Sequence, residues 1–161
     1  MHMIEGSTSA IGFRFALVVS KYNDFVTDRL QAGALAALSE AGAGATDITV
    51  VRVPGAFEIP IAAQHAAESG QFDAVVCLGC IVRGETPHYE YLASAVSHGL
   101  TMAAAASRVP MAFGVLTTNS IEEAIARAGV GPSNKGWEAA AAAIEMVTVA
   151  AQLTRQPAPD A

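Results

Sequence analysis

Four stretches of the chain are apolar and rich in valine or isoleucine, and each is short enough to form a single β-strand. Short apolar runs of this kind are typical of strands that are buried on both faces of a sheet. The third run, "AVVCLGCIV", is apolar throughout and predicts a fully buried strand. The four runs are "FRFALVVS" (13–20), "DITVVRV" (47–53), "AVVCLGCIV" (74–82) and "MAFGVLTT" (111–118).

The segments between these runs have helical spacing. Apolar residues recur every fourth position from 26 to 38, and the segments 59–69 and 88–108 are also helix-like. After the fourth run, Ser120 and Glu123 form a capping-box pattern for a helix that closes at Gly129, and a last helix is predicted from near 134 to 153. Alternating strands and helices predict an α/β fold, with a parallel sheet covered by helices on both faces.

Length and charge limit the possible classes of protein. A chain of 161 residues is expected to form one domain, with an N-terminal arm (1–12), a core (13–153) and a flexible tail (154–161). The formal net charge is −6, and no basic run could contact a phosphate backbone, so nucleic acid is not expected as a partner. No membrane-spanning run or signal peptide is recognised, which predicts a cytoplasmic protein.

The only two cysteines form a C-x-x-C pattern within "CLGC". This pattern can indicate a redox or metal site. Here it lies inside a predicted strand, where residues three apart point to opposite faces, whereas redox motifs begin helices. Two thiols without further cysteine or histidine ligands also make an incomplete zinc site, and no metal site is predicted.

The segment "RGETPH" follows the third strand, and ligands of parallel sheets bind beyond the carboxyl ends of the strands. Gly84 permits a tight turn, Thr86 is a candidate N-cap and Pro87 suits the first helical position. The free N–H groups of such a helix start can bind an anion. His88 would lie at the same place as a base that exchanges protons near neutral pH. The alternatives are an ordinary strand-to-helix turn and a solvated surface histidine.

Three other loops add candidates. The segment "VPGAFEIP" is stiffened by two prolines, and Glu58 within it could accept hydrogen bonds from a polyol or could stabilise the start of the next helix. Tyr22, Phe57 and Phe113 could enclose a flat heterocycle, although Phe113 could equally be a core residue of its strand. Arg127 and Lys135 flank "AGVGPSN", and such cations could hold a phosphate or simply be solvated.

Taken together, "KYND", "VPGAFEIP", "GCIVRGETPHYEYLA", "FGVLTTNSIEEAIARAG" and "NKGWEAAAAAIEM" closely resemble the lumazine synthase family, in collinear order from about 13 to 153. The resemblance implies a three-layer αβα sandwich with a four-stranded parallel sheet, a flavodoxin-like arrangement. It also implies condensation of 5-amino-6-ribitylaminopyrimidinedione with 3,4-dihydroxy-2-butanone 4-phosphate to 6,7-dimethyl-8-ribityllumazine in riboflavin biosynthesis. No cofactor is implied, and riboflavin synthase is implied as a functional partner.

The resemblance further implies which residues surround the pyrimidine and its ribityl chain. Tyr22 would stack on the pyrimidine, and Phe113 of a neighbouring subunit would complete the pocket. In the loop after the second strand, the ribityl chain would meet Ala56, Phe57 and Glu58. At the end of the third strand, backbone groups would be offered to the pyrimidine by Cys80, Ile81 and Val82.

The resemblance places the phosphate at the loop after the third strand. Glu85 and Thr86 would bind it through backbone N–H groups, together with Arg127 and with Lys135 close by, and His88 would transfer protons. Glu85 departs from the small residue that the family often has there, and a carboxylate beside a phosphate is unfavourable unless it points away. A homopentamer or a multiple of pentamers is implied.

Two other functions remain open at this point. The first is a non-catalytic relative that binds a flavin or a lumazine in the same pocket, against which the presence of both His88 and Arg127 argues. The second is an unrelated flavodoxin-like regulator that binds a nucleotide or a phosphate. That function would leave the order of the five motifs to coincidence.

Overall fold

The computed structural model describes residues 1–155, and its centre is a sheet of four parallel strands. The strands are β1 (Phe15–Ser20), β2 (Ile48–Val53), β3 (Ala74–Val82) and β4 (Met111–Thr118). Their order in the sheet is β2-β1-β3-β4. All four strands lie in the predicted apolar runs, and the third is buried along its length except at its last residue. The first two strands begin one or two residues later than predicted.

Within residues 1–155, five α-helices connect and follow the strands. They are α1 (Asp24–Glu40), α2 (Ile59–Glu68), α3 (His88–Ser107), α4 (Ile121–Ala126) and α5 (Lys135–Arg155). The last helix was predicted to end at 153, but Thr154 and Arg155 continue it. The rest of the predicted tail, 156–161, lies outside the described residues. No helix within the described range is long and apolar enough to cross a membrane.

The helices cover both faces of the sheet and bury two separate cores. Helices α1 and α5 pack on one face around Phe15, Leu17 and Leu78. Helices α2 and α3 pack on the other face around Val18, Ile59 and Val75. Because the side chains of a strand alternate between faces, one strand supplies both cores. This arrangement confirms the predicted three-layer α/β sandwich with helices on both faces.

The N-terminal arm contacts α5 and the end of α1. The Ser7 N–H donates to Thr148 Oγ1 at 2.8 Å, and Gln152 Nε2 donates to the Glu5 carbonyl at 2.7 Å. The Ala10 N–H donates to the Ala41 carbonyl at 2.9 Å, and Ala10 itself is buried. These contacts join the arm to the core, and the assignment of the whole chain to one domain stays a prediction.

The capping pattern predicted before α4 is present in a modified form. Ser120 Oγ accepts the Glu123 N–H at 3.2 Å, as expected of an N-cap. The Glu123 carboxylate accepts from the Asn119 N–H at 3.0 Å, one residue before the cap. The Thr118 hydroxyl donates to the Ser120 carbonyl at 2.8 Å. The end of β4 is thereby connected to the helix that presents Arg127.

Candidate functional site

A cavity of about 650 Å³ lies at the carboxyl ends of the strands. From β1 the chain first moves to β2 at one edge and then crosses to β3 on the other side of β1. Such a reversal of strand order separates the loops and opens a crevice for a ligand. The cavity is lined by Tyr22, Asn23, Gly55, Ala56, Phe57, Glu58, Cys80, Ile81, Val82, Gly84, Thr86, His88, Tyr89, Leu92 and Ile121.

The loop after β1 is fixed by backbone contacts and presents an aromatic ring. The Tyr22 N–H donates to the Pro54 carbonyl at 3.1 Å. Asn23 has a left-handed backbone, with φ of 61°, which asparagine tolerates better than most residues. Its side-chain amide donates to the Cys80 carbonyl at 3.1 Å. The Tyr22 side chain is 73% exposed, so a ring face is available to a ligand.

The loop after β2 forms one turn of 3-10 helix at Ala56–Glu58 before α2 begins. Glu58 Oε2 accepts the Gly55 N–H at 3.1 Å, so the carboxylate stabilises this turn. The sequence also allowed Glu58 to stabilise the start of the next helix. Its carboxylate does stabilise local structure, but it binds the turn that precedes α2 and not the start of α2 itself. The Phe57 side chain is 67% exposed at the edge of the cavity. Both residues thus remain available to a ligand.

The start of α3 differs by one position from the sequence prediction. Thr86 was predicted as the N-cap and Pro87 as the first helical residue, but the helix begins at His88 and Pro87 is the N-cap residue. The Pro87 carbonyl accepts the Glu90 N–H at 3.1 Å. No side chain caps the start of this helix. His88 is exposed in the first turn and lines the cavity, as the sequence predicts.

The two cysteines lie in β3 and are free. Cys77 belongs to the core under α2 and α3 and Cys80 to the core under α1 and α5, which confirms that they point to opposite faces. Burial raises the pKa of the Cys77 thiol to about 12 and that of the Cys80 thiol to about 11. Both thiols are therefore protonated and unreactive at neutral pH. Among residues 1–155 there is no cluster of three or more potential metal ligands.

Three of the predicted site residues line a different cavity. Phe113, Arg127 and Lys135 surround a space of about 310 Å³ beside β4, together with Glu138. Phe113 is 52% exposed because β4 is an edge strand, so the alternative that it is an ordinary core residue is wrong. Arg127 Nη1 donates to the Glu123 carbonyl at 3.1 Å. Lys135 Nζ contacts Glu138 Oε2 at 2.8 Å.

Glu85 also lies apart from the main cavity. It lines a small space of about 180 Å³ formed by the neighbouring residues of its own loop and the start of α3. Its side chain is exposed, whereas Gly84 and Thr86 on either side line the main cavity. The main cavity therefore brings together nine of the thirteen residues predicted from the sequence, and the other four are Glu85, Phe113, Arg127 and Lys135.

Six lining residues were not among the predicted site residues: the loop glycines Gly55 and Gly84, and four residues with larger side chains. Asn23 follows Tyr22 directly, and its tolerance of a left-handed backbone was the available signal. Tyr89 and Leu92 follow His88 by one and four residues, so helical spacing places Leu92 beside it. Ile121 comes from the start of α4 after the neighbouring strand, and its approach to β3 depends on the order of strands, which the sequence does not reveal.

Comparisons with known proteins identify the family of this chain. The model of the family described as 6,7-dimethyl-8-ribityllumazine synthase matches residues 12–151. A protein of that name from Desulfatibacillum aliphaticivorans is 50% identical over 150 residues, which are 93% of this chain and 97% of the relative. One from Syntrophus aciditrophicus is 52% identical over 149 residues, 92% and 97% of the two chains. One from Desulfosudis oleivorans is 49% identical over 153 residues, 95% and 98% of the two chains.

Both the family match and these relatives cover nearly all of the described sheet, its helices and the loops that line the cavity. The chain therefore belongs to the 6,7-dimethyl-8-ribityllumazine synthase family, an enzyme family of riboflavin biosynthesis, as its sequence motifs indicated.

Proposed function

We propose that this chain condenses 5-amino-6-ribitylaminopyrimidinedione with 3,4-dihydroxy-2-butanone 4-phosphate, forming 6,7-dimethyl-8-ribityllumazine with release of phosphate and water. The observation that carries this proposal is the main cavity. It unites an aromatic loop, a carboxylate-bearing loop, the end of a buried strand and a histidine at a helix start. Its volume, about 650 Å³, lies within the range of small-molecule sites.

The pyrimidine binds against the end of β3 in this proposal. Cys80 and Ile81 are nearly fully buried there and provide an apolar surface for a flat ring. The exposed ring of Tyr22 stacks on the heterocycle, and backbone groups of 80–82 form its hydrogen bonds. The ribityl chain extends along 56–58, where Glu58 accepts hydrogen bonds from its hydroxyls. Shape and a few polar groups thus select this substrate.

The phosphate of the second substrate binds at the loop that precedes α3. The helix has 20 residues, and the partial positive charge at its N-terminus together with free N–H groups favours an anion. Glu85 and Thr86 contribute backbone N–H groups to the phosphate. Glu85 is exposed and does not line the main cavity, so water can screen its charge and limit repulsion of the phosphate.

His88 transfers protons during the reaction. The amine of the pyrimidine adds to the ketone and loses water to give an imine, and phosphate then leaves. The carbon chain tautomerises, and the second nitrogen closes the ring by adding to the remaining carbonyl with loss of a second water. Each step moves a proton, so an imidazole beside the reacting atoms accelerates several steps, while the cavity supplies proximity and orientation. The proposal includes no metal or redox cofactor.

The complete site requires a second copy of the chain. Phe113, Arg127 and Lys135 line the open edge of β4, away from the main cavity of the same chain. A neighbouring copy that docks this edge beside the main cavity would supply the second aromatic ring and the two cations for the phosphate. A homopentamer or a multiple of pentamers fits this requirement. A cytoplasmic location and riboflavin synthase as the functional partner belong to the same proposal.

The test is to mix the purified protein with both substrates and follow lumazine formation by absorbance and fluorescence. The spontaneous reaction without protein is subtracted. Formation well above this background supports the proposal, and the activity is expected to depend on His88. Binding of the pyrimidine or of riboflavin without enhanced formation would refute it in favour of a binding relative.

A further inference from the structure

Asn134 is almost completely buried, with 1% of its surface exposed, and its side chain forms four hydrogen bonds. Its oxygen accepts the Gly136 N–H at 2.8 Å and the Trp137 N–H at 3.1 Å. Its nitrogen donates to the Arg29 carbonyl at 3.1 Å and to the Gly129 carbonyl at 2.7 Å. The amide therefore uses both donors and both acceptor positions within the protein.

Only half of these bonds are needed to begin α5. The two accepted bonds cap the helix, and aspartate or serine would serve equally well there. The two donated bonds have another effect, because they connect α1 to the segment between α4 and α5. Gly33 in α1 makes room for this connection, since a Cβ added there would collide with the Asn134 side chain. The Asn134 side chain thus forms a bridge between α1 and the segment that joins α4 to α5. This bridge requires an amide at 134 and a glycine at 33.

The bridged segment carries both cations of the cavity beside β4. The Lys135 N–H donates to the Arg127 carbonyl at 2.9 Å, which closes the segment into a loop. Asn134 lies next to Lys135 in the chain and holds Gly129, two residues after Arg127. Without the bridge, the loop would remain joined to α5 by its own backbone but would lose the hydrogen bond from Asn134 to α1.

We propose that Asn134 is a positioning residue that fixes Arg127 and Lys135 at one place relative to the fold, so that both can meet a phosphate together. This inference rests on the proposed function and deepens its phosphate site. Asn134 is buried and donates to two backbone carbonyls, so it acts through the two cations and not on the substrate. Its loss therefore weakens phosphate binding more than pyrimidine binding.

The test compares Asn134→Ser with Val147→Ala, both in the full-length protein. Serine keeps an acceptor for the cap of α5 but cannot reach both carbonyls. Val147 is buried in α5, about 18–20 Å along the helix from Asn134. It therefore provides a control that loosens the same helix without contact to 127–135. Where Asn134→Ser does not yield folded protein, Asn134→Thr, which has nearly the volume of asparagine, replaces it.

The expected result is a rise of at least about fivefold in KM for the butanone phosphate, with kcat and KM for the pyrimidine changed less than about twofold. Inorganic phosphate titrated by calorimetry should bind the Asn134 variant more weakly by a similar factor. Val147→Ala should change neither KM for the butanone phosphate nor the affinity for inorganic phosphate, even when it lowers the melting temperature as much as Asn134→Ser does. Equal shifts in both KM values, or the same shift in the control, would overturn the inference.

If the proposed function is wrong, the wild-type protein itself forms no lumazine above the spontaneous rate, and this result is independent of the Asn134 variant. The phosphate titration then decides on Asn134 alone. Weaker phosphate binding by the variant still supports the positioning role. Equal affinity of the variant and the wild type, or no phosphate binding by either, overturns it.

Discussion

Gly136 of α5 packs directly against the backbone of α1, and its replacement by alanine tests how tightly these helices pack. A Cβ at this position would collide with the Leu30 carbonyl and lie 2.8 Å from the Leu30 Cα. Ordinary carbon contacts are about 3.5–4.0 Å, and backbone atoms cannot rotate away as a flexible side chain can. The two helices would have to separate, which opens the core between them.

The cost can be estimated from these contacts. Overpacking typically destabilises by about 1–3 kcal/mol, and a clash with backbone belongs at about 3 kcal/mol. The higher helix propensity of alanine offsets about 1 kcal/mol. The net loss of unfolding free energy is about 2 kcal/mol, which corresponds to a decrease of about 4–8 °C in melting temperature for a chain of this size.

Gly129→Ala is the matched control, because nothing lies within 4 Å of a Cβ added there. It should leave stability unchanged or raise it by about 0.4–1 kcal/mol by restricting the unfolded chain. Both variants are compared with the wild type by urea denaturation and thermal melting at one protein concentration, since assembly makes stability depend on concentration. A Gly136→Ala protein as stable as the Gly129→Ala protein would refute the packing argument.

Further predictions concern His88, Arg127 and the two buried cysteines. His88→Ala should lower kcat by about 10²-fold or more while both KM values change little, and unchanged turnover would remove His88 from proton transfer. Arg127→Ala should raise KM for the butanone phosphate about 10-fold or more, as expected for a lost charge-assisted hydrogen bond, and an effect confined to the pyrimidine would reassign it. Because Cys77 and Cys80 are buried and burial raises the pKa of both thiols, alkylation at neutral pH should be at least about tenfold slower in the folded protein than in urea. Rapid alkylation at pH 7, equal to that of the protein in urea, would contradict this protection. Above pH 9 the folded state keeps the protons of both thiols, whereas the unfolded state loses them. The free energy of unfolding should therefore fall as the pH rises from 9 to 11.

The fold was predictable because its signals are local. The run from Ala74 to Val82 is apolar throughout, and only a strand buried on both faces suits it. Strand and helix types follow from such periodicities, and the cap at Ser120 follows from a pattern of four residues. The start of α3 was misjudged by one residue, because Pro87 has the expected φ of −69° but a ψ of 4°, which leaves it outside the helix as the N-cap residue.

The site was predictable only in part, because its residues come from several loops. The loops after β1, β2 and β3 meet where the parallel strands end, so Tyr22, Glu58 and His88 line one cavity as expected. The sequence could not reveal that Arg127 lies at another cavity, since this depends on β4 being an edge strand. Nor could it reveal the buried contacts of Asn134, which join residues more than a hundred positions apart.

The sequence by itself determined the elements, the class of fold and the family, because each depends on residue types that are neighbours along the chain. Only the tertiary structure decided which residues share a cavity, which face of β3 receives each cysteine and how closely α1 approaches α5. These features depend on the order of strands and on packing distances. Burial in the assembled core, and not the C-x-x-C pattern, raises the pKa of both thiols. The physical reason is that contacts and desolvation are properties of the packed chain, whereas propensity and periodicity are properties of short segments.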